Sequence, residues 1–186
     1  MGVTPAGRRK CRHVGSARRY PQGQPRNLPG SSPEHNTIMI NIGSLLWNHV
    51  RGGPRQVFTS DMKVGTRRKE SFFYPDVTVV CGPPEYHDKV RDVLTNATVI
   101  FEVLSPSTEC FDSTHKRQMY QSIPSFREYL LVEQDEPLVE HWQKQTDTIW
   151  TVRFATGLDA EVHIESIGCT LKLAEIYERL TFPEPV

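Results

Sequence analysis

Hydrophobic residues recur along this chain with two periods, one typical of helices and one of strands. Between about residues 34 and 50, apolar side chains recur at spacings of three and four, which predicts an amphipathic helix that ends at Gly52-Gly53-Pro54. Thr98–Leu104 is almost continuously apolar, so we predict a buried central strand there. Residues 73–80 are rich in aromatic and β-branched side chains and predict a second strand.

The second half of the chain continues with short elements of both kinds. We predict a helix, a strand, the two strands of a hairpin that flanks Thr146-Asp147, and a short last helix, over residues 112–122, 127–132, 139–143, 148–154 and about 173–180. This order predicts an α/β fold with a mixed central β-sheet flanked by helices, followed by a C-terminal β-hairpin and a short helix.

Composition narrows the class of protein. A chain of 186 residues with 37% hydrophobic side chains has the size and apolar content of one domain with a core. No apolar run approaches the roughly 20 residues that span a bilayer, so we expect no membrane partner. The four cysteines lie far apart without a C-x-x-C pair, which argues against a zinc ribbon or a disulfide framework. A reducing, cytoplasmic location is therefore expected.

The formal net charge of zero hides two unlike segments. Residues 1–30 contain seven of the 22 basic residues and no acid, whereas residues 31–186 contain 15 basic and 22 acidic side chains. We predict that residues 1–30 are a disordered, basic, Pro- and Gly-rich tail, and that residues 31–186 form the folded domain. A tail that binds phosphate backbones is the functional alternative for the first segment.

Two acidic residues stand in apolar strands and require an explanation. Glu102 lies within Val99–Leu104, and Asp76 directly precedes the apolar run Val77–Val80. Ionising a carboxylate inside a buried strand costs several kcal/mol unless a cation or strong hydrogen bonds compensate it. A Mg²⁺ ion between adjacent strands would provide that compensation, because Mg²⁺ prefers carboxylate oxygens. The alternative is that both acids face solvent at strand edges.

A lysine follows at helical spacing from a third acid. Asp112, Lys116 and Tyr120 are four residues apart and share one face of the predicted helix over residues 112–122. A lysine beside metal-bound carboxylates can stabilise charge that develops on a phosphoryl group, or orient the attacking water. An ordinary Asp–Lys surface pair, worth only about 0.3–0.5 kcal/mol, has the same spacing.

Several motifs in this order resemble one known family. The chain is similar from about residue 29 to about residue 177 to the Uma2 family of restriction endonucleases, within the PD-(D/E)xK nuclease superfamily. The matching segments are SPEHN (32–36), LLWNHVRGGP (45–54), SDMKV (60–64), YPDVTVVCGPP (74–84), LTNATVIFEVLSPST (94–108) and IPSFREYLLVEQDEP (123–137). The resemblance implies a restriction-endonuclease-like core and metal-dependent hydrolysis of DNA phosphodiester bonds.

The resemblance also implies which residues form the site. Pro75-Asp76 matches the PD element, and Glu102 matches the acidic position of the second element. The usual lysine position is occupied by Leu104, and in Uma2-like proteins the lysine is displaced to the following helix, here Lys116. Asp76, Glu102 and Lys116 are thus the implied catalytic residues. Asp76, Glu102 and the Val103 backbone carbonyl are the implied ligands of Mg²⁺, or of Mn²⁺.

Three further residues are supporting candidates. His35 and Tyr120 match positions that family members often share, and Asp112 lies on the same predicted helix face as Lys116. His35 stands at the start of a predicted helix, where capping or packing is an equally simple role. DNA is the implied partner, and a homodimer is a further expectation because many nucleases of the superfamily cut both strands as dimers.

The chain departs from the family at its beginning. Uma2 proteins usually start with a segment that carries acidic and aromatic residues and an Asp-Gly turn, whereas residues 1–30 here contain no acid. Loss of the first helix and hairpin would remove packing surface from the domain. A catalytically impaired protein that binds nucleic acid or another partner through the nuclease fold is therefore the alternative function, and a poorly folding product is a third.

Overall fold

The computed structural model describes residues 32–66, 72–104 and 116–182, and it begins with the longest helix. Helix α1 comprises Pro33–Val50. It starts where the Ser32 side chain accepts a hydrogen bond from the His35 amide at 3.1 Å, and Pro33 fits the first helical position because it has no amide hydrogen to satisfy. Its buried stripe is Ile38, Ile42, Leu46 and Val50. The helix thus presents one apolar face to the sheet.

A six-stranded mixed sheet forms the centre of the domain. Its strands, in spatial order, are β1 (Arg55–Thr59), β4 (Val77–Cys81), β6 (Val99–Leu104), β7 (Glu128–Glu133), β8 (Leu138–Lys144) and β9 (Trp150–Thr156). Strands β6 and β7 run parallel, and every other neighbouring pair is antiparallel. All six residues of β6 are buried, as expected for a central strand covered on both faces.

Smaller elements cover the two faces of this sheet. One face packs on α1, on the hairpin of β10 (Glu161–Ile164) and β11 (Cys169–Lys172), and on helix α3 (Leu173–Ile176). The other face packs on helix α2 (Arg117–Tyr120) and on a three-stranded sheet of β2 (Lys63–Gly65), β3 (Phe72–Phe73) and β5 (Val93–Leu94). Within the described residues, no helix has both the length and the apolar character needed to cross a bilayer.

The predicted fold class is confirmed, and so are its best-defined elements. The helix over residues 34–50, the central strand at 98–104 and the hairpin at 139–154 are all present. The predicted strand at 73–80 is instead divided, because residues 74–76 separate β3 from β4. Pro75 has no amide hydrogen for a sheet ladder, and the Val103 amide hydrogen is bonded by the Asp76 carboxylate rather than by a backbone carbonyl.

Three other elements differ from the sequence-based expectations or lie outside the described residues. The hairpin of β10 and β11 was not predicted, because each strand has only four residues. The last helix ends at Ile176 rather than near residue 180, and Arg179 has a positive φ of 69° that a helix does not accommodate. The predicted helix at 112–122 is helical at Arg117–Tyr120, while residues 112–115 and the predicted tail at 1–30 lie outside the described residues.

Candidate active site

The sheet register brings the two predicted acids together. Strands β4 and β6 pair with Val77 opposite Phe101, and Asp76 and Glu102 are the next residues along the two strands. Regular pairing of β4 with β6 stops at Val77 and Phe101, so Asp76 lies just beyond the paired part of β4. Glu102 points to the face that α2 covers, because its neighbours Ile100 and Leu104 pack there. The Asp76 carboxylate contacts the Val103 amide within the sheet and His35 of α1.

Asp76 is held by the strand beside it and by the first turn of α1. Its Oδ2 accepts a hydrogen bond from the Val103 amide at 2.7 Å and lies 3.3 Å from Nε2 of His35. The side chain of Asp76 is 13% exposed. Within the described residues no hydrogen bond reaches Oδ1. One oxygen of this carboxylate is thus fixed by a backbone amide of the neighbouring strand.

Glu102 is buried, and a cation and a phenol contact its two oxygens. Nζ of Lys116 donates to Oε2 at 3.0 Å, and Oη of Tyr120 donates to Oε1 at 3.1 Å. The side chain of Glu102 is only 3% exposed and that of Lys116 is 15% exposed. A buried carboxylate is costly without such partners, so this ion pair accounts for an acid in the middle of an apolar strand.

Aromatic packing holds Tyr120 in place. Its ring is fully buried and contacts the rings of Phe73, Phe126 and Tyr129, with centroids 5.4–5.8 Å apart. Helix α2 is only one turn long and directly follows Lys116, so this packing also positions the lysine. The tyrosine therefore links the core beneath α2 to the carboxylate of Glu102.

The charges of this site fit a divalent cation. Asp76 and Glu102 contribute two negative charges and Lys116 one positive charge, which leaves one negative charge when His35 is neutral. The donors are hard oxygens, which Mg²⁺ and Mn²⁺ prefer. In the described part of the chain, no group of three or more His, Cys, Asp or Glu side chains is arranged to hold a metal ion. Two carboxylates with several waters is nevertheless the usual donor set for Mg²⁺.

Five residues singled out from the sequence meet at this point. They form two contact groups, His35 with Asp76 and both Lys116 and Tyr120 with Glu102, and the Val103 amide that bonds Asp76 directly follows Glu102 in the chain. Asp112 lies outside the described residues. The contact that the structure gives for Val103 is made by its amide, so its carbonyl stays a predicted ligand.

Sequence reasoning missed one residue that organises the site. Ser32 caps α1 through the His35 amide, which holds His35 in the first turn of the helix beside Asp76. The signal for this role was present, because Ser followed by Pro and Glu is a typical helix start.

A second buried carboxylate lies on the opposite face of the sheet and was not predicted. Oε2 of Glu128, the first residue of β7, is 2.6 Å from Nε2 of His141, and Oε1 accepts the Ser166 amide hydrogen at 2.7 Å. Burial raises the pKa of Glu128, but the hydrogen bonds from His141 and Ser166 outweigh it and hold the pKa below its ordinary value. Glu128 lines a cavity of about 690 Å³ that does not include Asp76 or Glu102.

Comparison with known proteins identifies the family. The family model of Uma2, described as "Putative restriction endonuclease", matches residues 10–174. The chain belongs to the Uma2 family. The Uma2 match begins earlier than the resemblance at residue 29, within the segment that precedes the described residues.

The chain is also similar to two relatives and to one solved structure. The Uma2 chain is 37% identical over 141 residues to the uncharacterized protein sll1609 of Synechocystis sp. (strain PCC 6803), covering 76% of this chain and 80% of that protein. It is 31% identical over 163 residues to slr1290 of the same organism, covering 88% and 84%. A crystal structure of "a putative nuclease belonging to DUF820" from Anabaena variabilis superposes with a TM-score of 0.65 at 16% identity, covering 80% of this chain and 83% of the other. That likeness supports the fold alone.

Proposed function

We propose that this Uma2 protein is a metal-dependent endonuclease that hydrolyses DNA phosphodiester bonds at the site of Asp76, Glu102 and Lys116. The observation that carries the proposal is the hydrogen bond that holds the Asp76 carboxylate on the Val103 amide, directly after Glu102, whose own carboxylate is paired with Lys116. An isolated Glu–Lys pair would serve to compensate burial. Asp76 adds a second carboxylate next to this pair, and only its Oδ2 is hydrogen-bonded by the described residues.

Each residue has a part that follows from its contacts. Asp76, fixed through Oδ2 by the Val103 amide, and Glu102 would hold Mg²⁺ or Mn²⁺. The bound metal would supply Lewis-acid neutralisation of the phosphate and a lower pKa of its water ligand. Lys116 would stabilise negative charge on the phosphoryl oxygens from a position that is partly open to solvent.

His35 and Tyr120 would act as positioning residues. His35 contacts the same oxygen of Asp76 as the Val103 amide does, and therefore fixes the rotation of that carboxylate. Tyr120 donates to Oε1 of Glu102 from within the core, on the oxygen that Lys116 does not contact. Preorganised carboxylates avoid a reorganisation cost when the cation and the substrate bind.

Cleavage of supercoiled plasmid DNA tests the proposal. With millimolar Mg²⁺ or Mn²⁺, the wild-type protein should convert supercoiled plasmid to nicked or linear forms, and chelation of the metal should stop the conversion. Asp76→Asn should lower the rate by about 100-fold or more, since loss of one such group commonly costs a factor of 10²–10³. Equal cleavage by the wild type and Asp76→Asn would refute the assignment.

Asp92→Asn is the matched control for that substitution. Asp92 also forms an ion pair with a lysine, because its Oδ2 lies 2.8 Å from Nζ of Lys63, but its side chain is 46% exposed and it has no contact with Glu102 among the described ion pairs. The same chemical change there should leave cleavage unaltered. If both variants lost activity equally, general loss of charge rather than the site at Asp76 would explain the result.

A further inference from the structure

A small cavity lies beside the aromatic packing of the site, and its lining is unlike that of a phosphate site. It has a volume of about 230 Å³ and is lined by residues that include Thr66, Phe72, Glu85, His87, Thr95 and Ile123. No lysine or arginine is among the described residues that line it. Glu85 is acidic and a carboxylate repels a phosphate, so the described part of the lining favours a neutral ligand that donates hydrogen bonds.

The walls of the cavity combine ring surfaces with hydrogen-bonding groups. The rings of Phe72 and His87 meet edge to face at 6.1 Å, and Phe72 is 45% exposed. Ile123 supplies apolar surface, while Glu85 and Thr95 supply acceptors. Thr66 is 4% exposed, and its Oγ1 has no hydrogen-bond partner among the described residues, which is an unusual state for a buried hydroxyl. A planar group with amino or ring-nitrogen edges would match these walls.

The volume of the cavity further restricts the class of ligand that it can hold. Pockets for drug-sized molecules have volumes of about 300–1,000 Å³, and this cavity is smaller. Nucleobases are planar, stack on aromatic side chains, and carry polar atoms on their edges. Carboxylates accept hydrogen bonds from exocyclic amino groups such as that of cytosine, whereas thymine has no such group.

The cavity is also next to the proposed catalytic site along the chain. Phe72 precedes Phe73, whose ring contacts Tyr120 at 5.4 Å, and Tyr120 donates to Glu102. The Ile123 amide is hydrogen-bonded to the Tyr120 carbonyl at 2.9 Å. Two walls of the cavity are therefore attached to the residue that positions Glu102, so a nucleotide near the cleaved bond can present its base there.

We propose that this cavity binds one unstacked nucleobase of the substrate, preferring a base with an exocyclic amino group. This inference rests on the proposed nuclease function, and it names what determines base preference near the cut. Phe72 would stack on the base, Glu85 would accept from its amino group, and the Thr66 hydroxyl would gain a partner.

Binding of short single-stranded oligonucleotides in the presence of a metal chelator tests the cavity without cleavage. Fluorescein-labelled oligo-dC and oligo-dA should bind about tenfold more tightly than oligo-dT by anisotropy, because one good base contact gives that discrimination. Phe72→Ala should weaken oligo-dC binding by about tenfold through loss of stacking. Glu85→Gln should make oligo-dC and oligo-dT bind more equally.

Phe154→Ala is the matched control, because Phe154 is 62% exposed on β9 and does not line the cavity. Its binding profile should equal that of the wild type. Equal affinity of the wild type for oligo-dC and oligo-dT, or equal losses in Phe72→Ala and Phe154→Ala, would overturn the proposal. Plasmid cleavage without any base preference in oligonucleotide binding would refute the base-binding proposal and leave the nuclease proposal standing. Base-selective binding without any cleavage would support the base-binding cavity and refute the nuclease proposal.

Discussion

Two glutamates, Glu102 and Glu128, lie on the neighbouring parallel strands β6 and β7, and both are almost completely buried. Glu128 is level with Val99, three residues before Glu102, so the two lie about 10 Å apart along the strand direction. Their side chains point to opposite faces of the sheet. Each has a basic partner within hydrogen-bonding distance, Lys116 for Glu102 and His141 for Glu128.

Both oxygens of each glutamate are hydrogen-bonded by the protein, so the difference between the two lies in their neighbours. The pKa of Glu128 is held below the ordinary value, and its partner His141 is 4% exposed. Glu102 is followed by the residue whose amide holds the Asp76 carboxylate, and its partner Lys116 is 15% exposed. A buried acid in an apolar strand is thus not by itself the sign of a site. The second acid and an accessible cation make the difference.

The largest expected difference between the two glutamates is in cleavage. Glu102→Gln should lower the rate of plasmid nicking by about 100-fold or more, because it removes one of two proposed metal-binding charges. Glu128→Gln should leave the rate unchanged but lower the free energy of unfolding by roughly 1–3 kcal/mol, since buried hydrogen bonds to a charged group are lost. Nicking assays and urea unfolding measure the two effects. Similar loss of cleavage in both variants would contradict this contrast.

Metal binding should distinguish Asp76, in the candidate site, from Glu128 through its effect on stability. Mg²⁺ at ten times its dissociation constant should add about 1.4 kcal/mol to the stability of a protein that binds one ion only when folded. Thermal melting with and without millimolar Mg²⁺ should show this shift in the wild type and in Glu128→Gln. Asp76→Asn should not respond. An equal increase in melting temperature in Asp76→Asn would show that the metal ion binds at another site.

Acid should destabilise the protein partly through Glu128. Its folded pKa lies below the ordinary value of 4.5, so its stabilising contribution is present above that pH and is lost as the pH falls through the folded pKa. Urea unfolding between pH 3 and pH 7 should therefore show a shallower loss of stability below about pH 4.5 in Glu128→Gln than in the wild type.

Asp147→Asn is the control for this pH series. The pKa of Asp147 is lowered by the hydrogen bond from Lys144, but its side chain is 97% exposed. Solvent screening makes such a pair nearly neutral for stability, so the acid profile should match that of the wild type. If the stability of Glu128→Gln fell with pH in the same way as that of the wild type and of Asp147→Asn, Glu128 would not contribute to acid unfolding.

The smallest expected effect is the loss of one hydroxyl group, and it should distinguish two buried tyrosines. Tyr120 donates to Glu102, whereas Tyr177 donates to the Glu133 and Leu138 carbonyls. Either change to Phe should lower the free energy of unfolding by about 1 kcal/mol. Only Tyr120→Phe should also slow plasmid nicking. A cleavage defect in Tyr177→Phe of the same size would indicate that global stability, and not the contact with Glu102, limits the rate.

Much of the fold could be predicted from the sequence because it depends on local patterns. The spacing of Ile38, Ile42 and Leu46 and the apolar run ending at Leu104 specify a helix face and a buried strand without knowledge of their neighbours. The split of the strand at Pro75 could not be predicted in the same way. It depends on the Asp76 side chain replacing a backbone acceptor of the next strand.

The residues of the candidate site were accessible to sequence reasoning for a chemical reason. An acid within an apolar strand, as at Glu102, demands a partner whatever the fold. The partner itself could not be deduced so surely, because Lys116 is 14 residues away in sequence and reaches Glu102 only through the packing of Tyr120. The pair of Glu128 and His141 escaped notice for the same reason, since the two residues meet only across β7 and β8.

By itself the sequence determined the helix, the central strand, the fold class and the need for compensation at Glu102 and Asp76. Only the tertiary structure decided which groups compensate the charges of these two carboxylates. The Val103 amide, directly after Glu102, holds the Asp76 carboxylate, and the first turn of α1 brings His35 to Asp76 across 41 residues of chain. Local periodicity encodes which residues are buried. The contacts between distant segments depend on strand pairing and packing, which no short stretch of sequence contains.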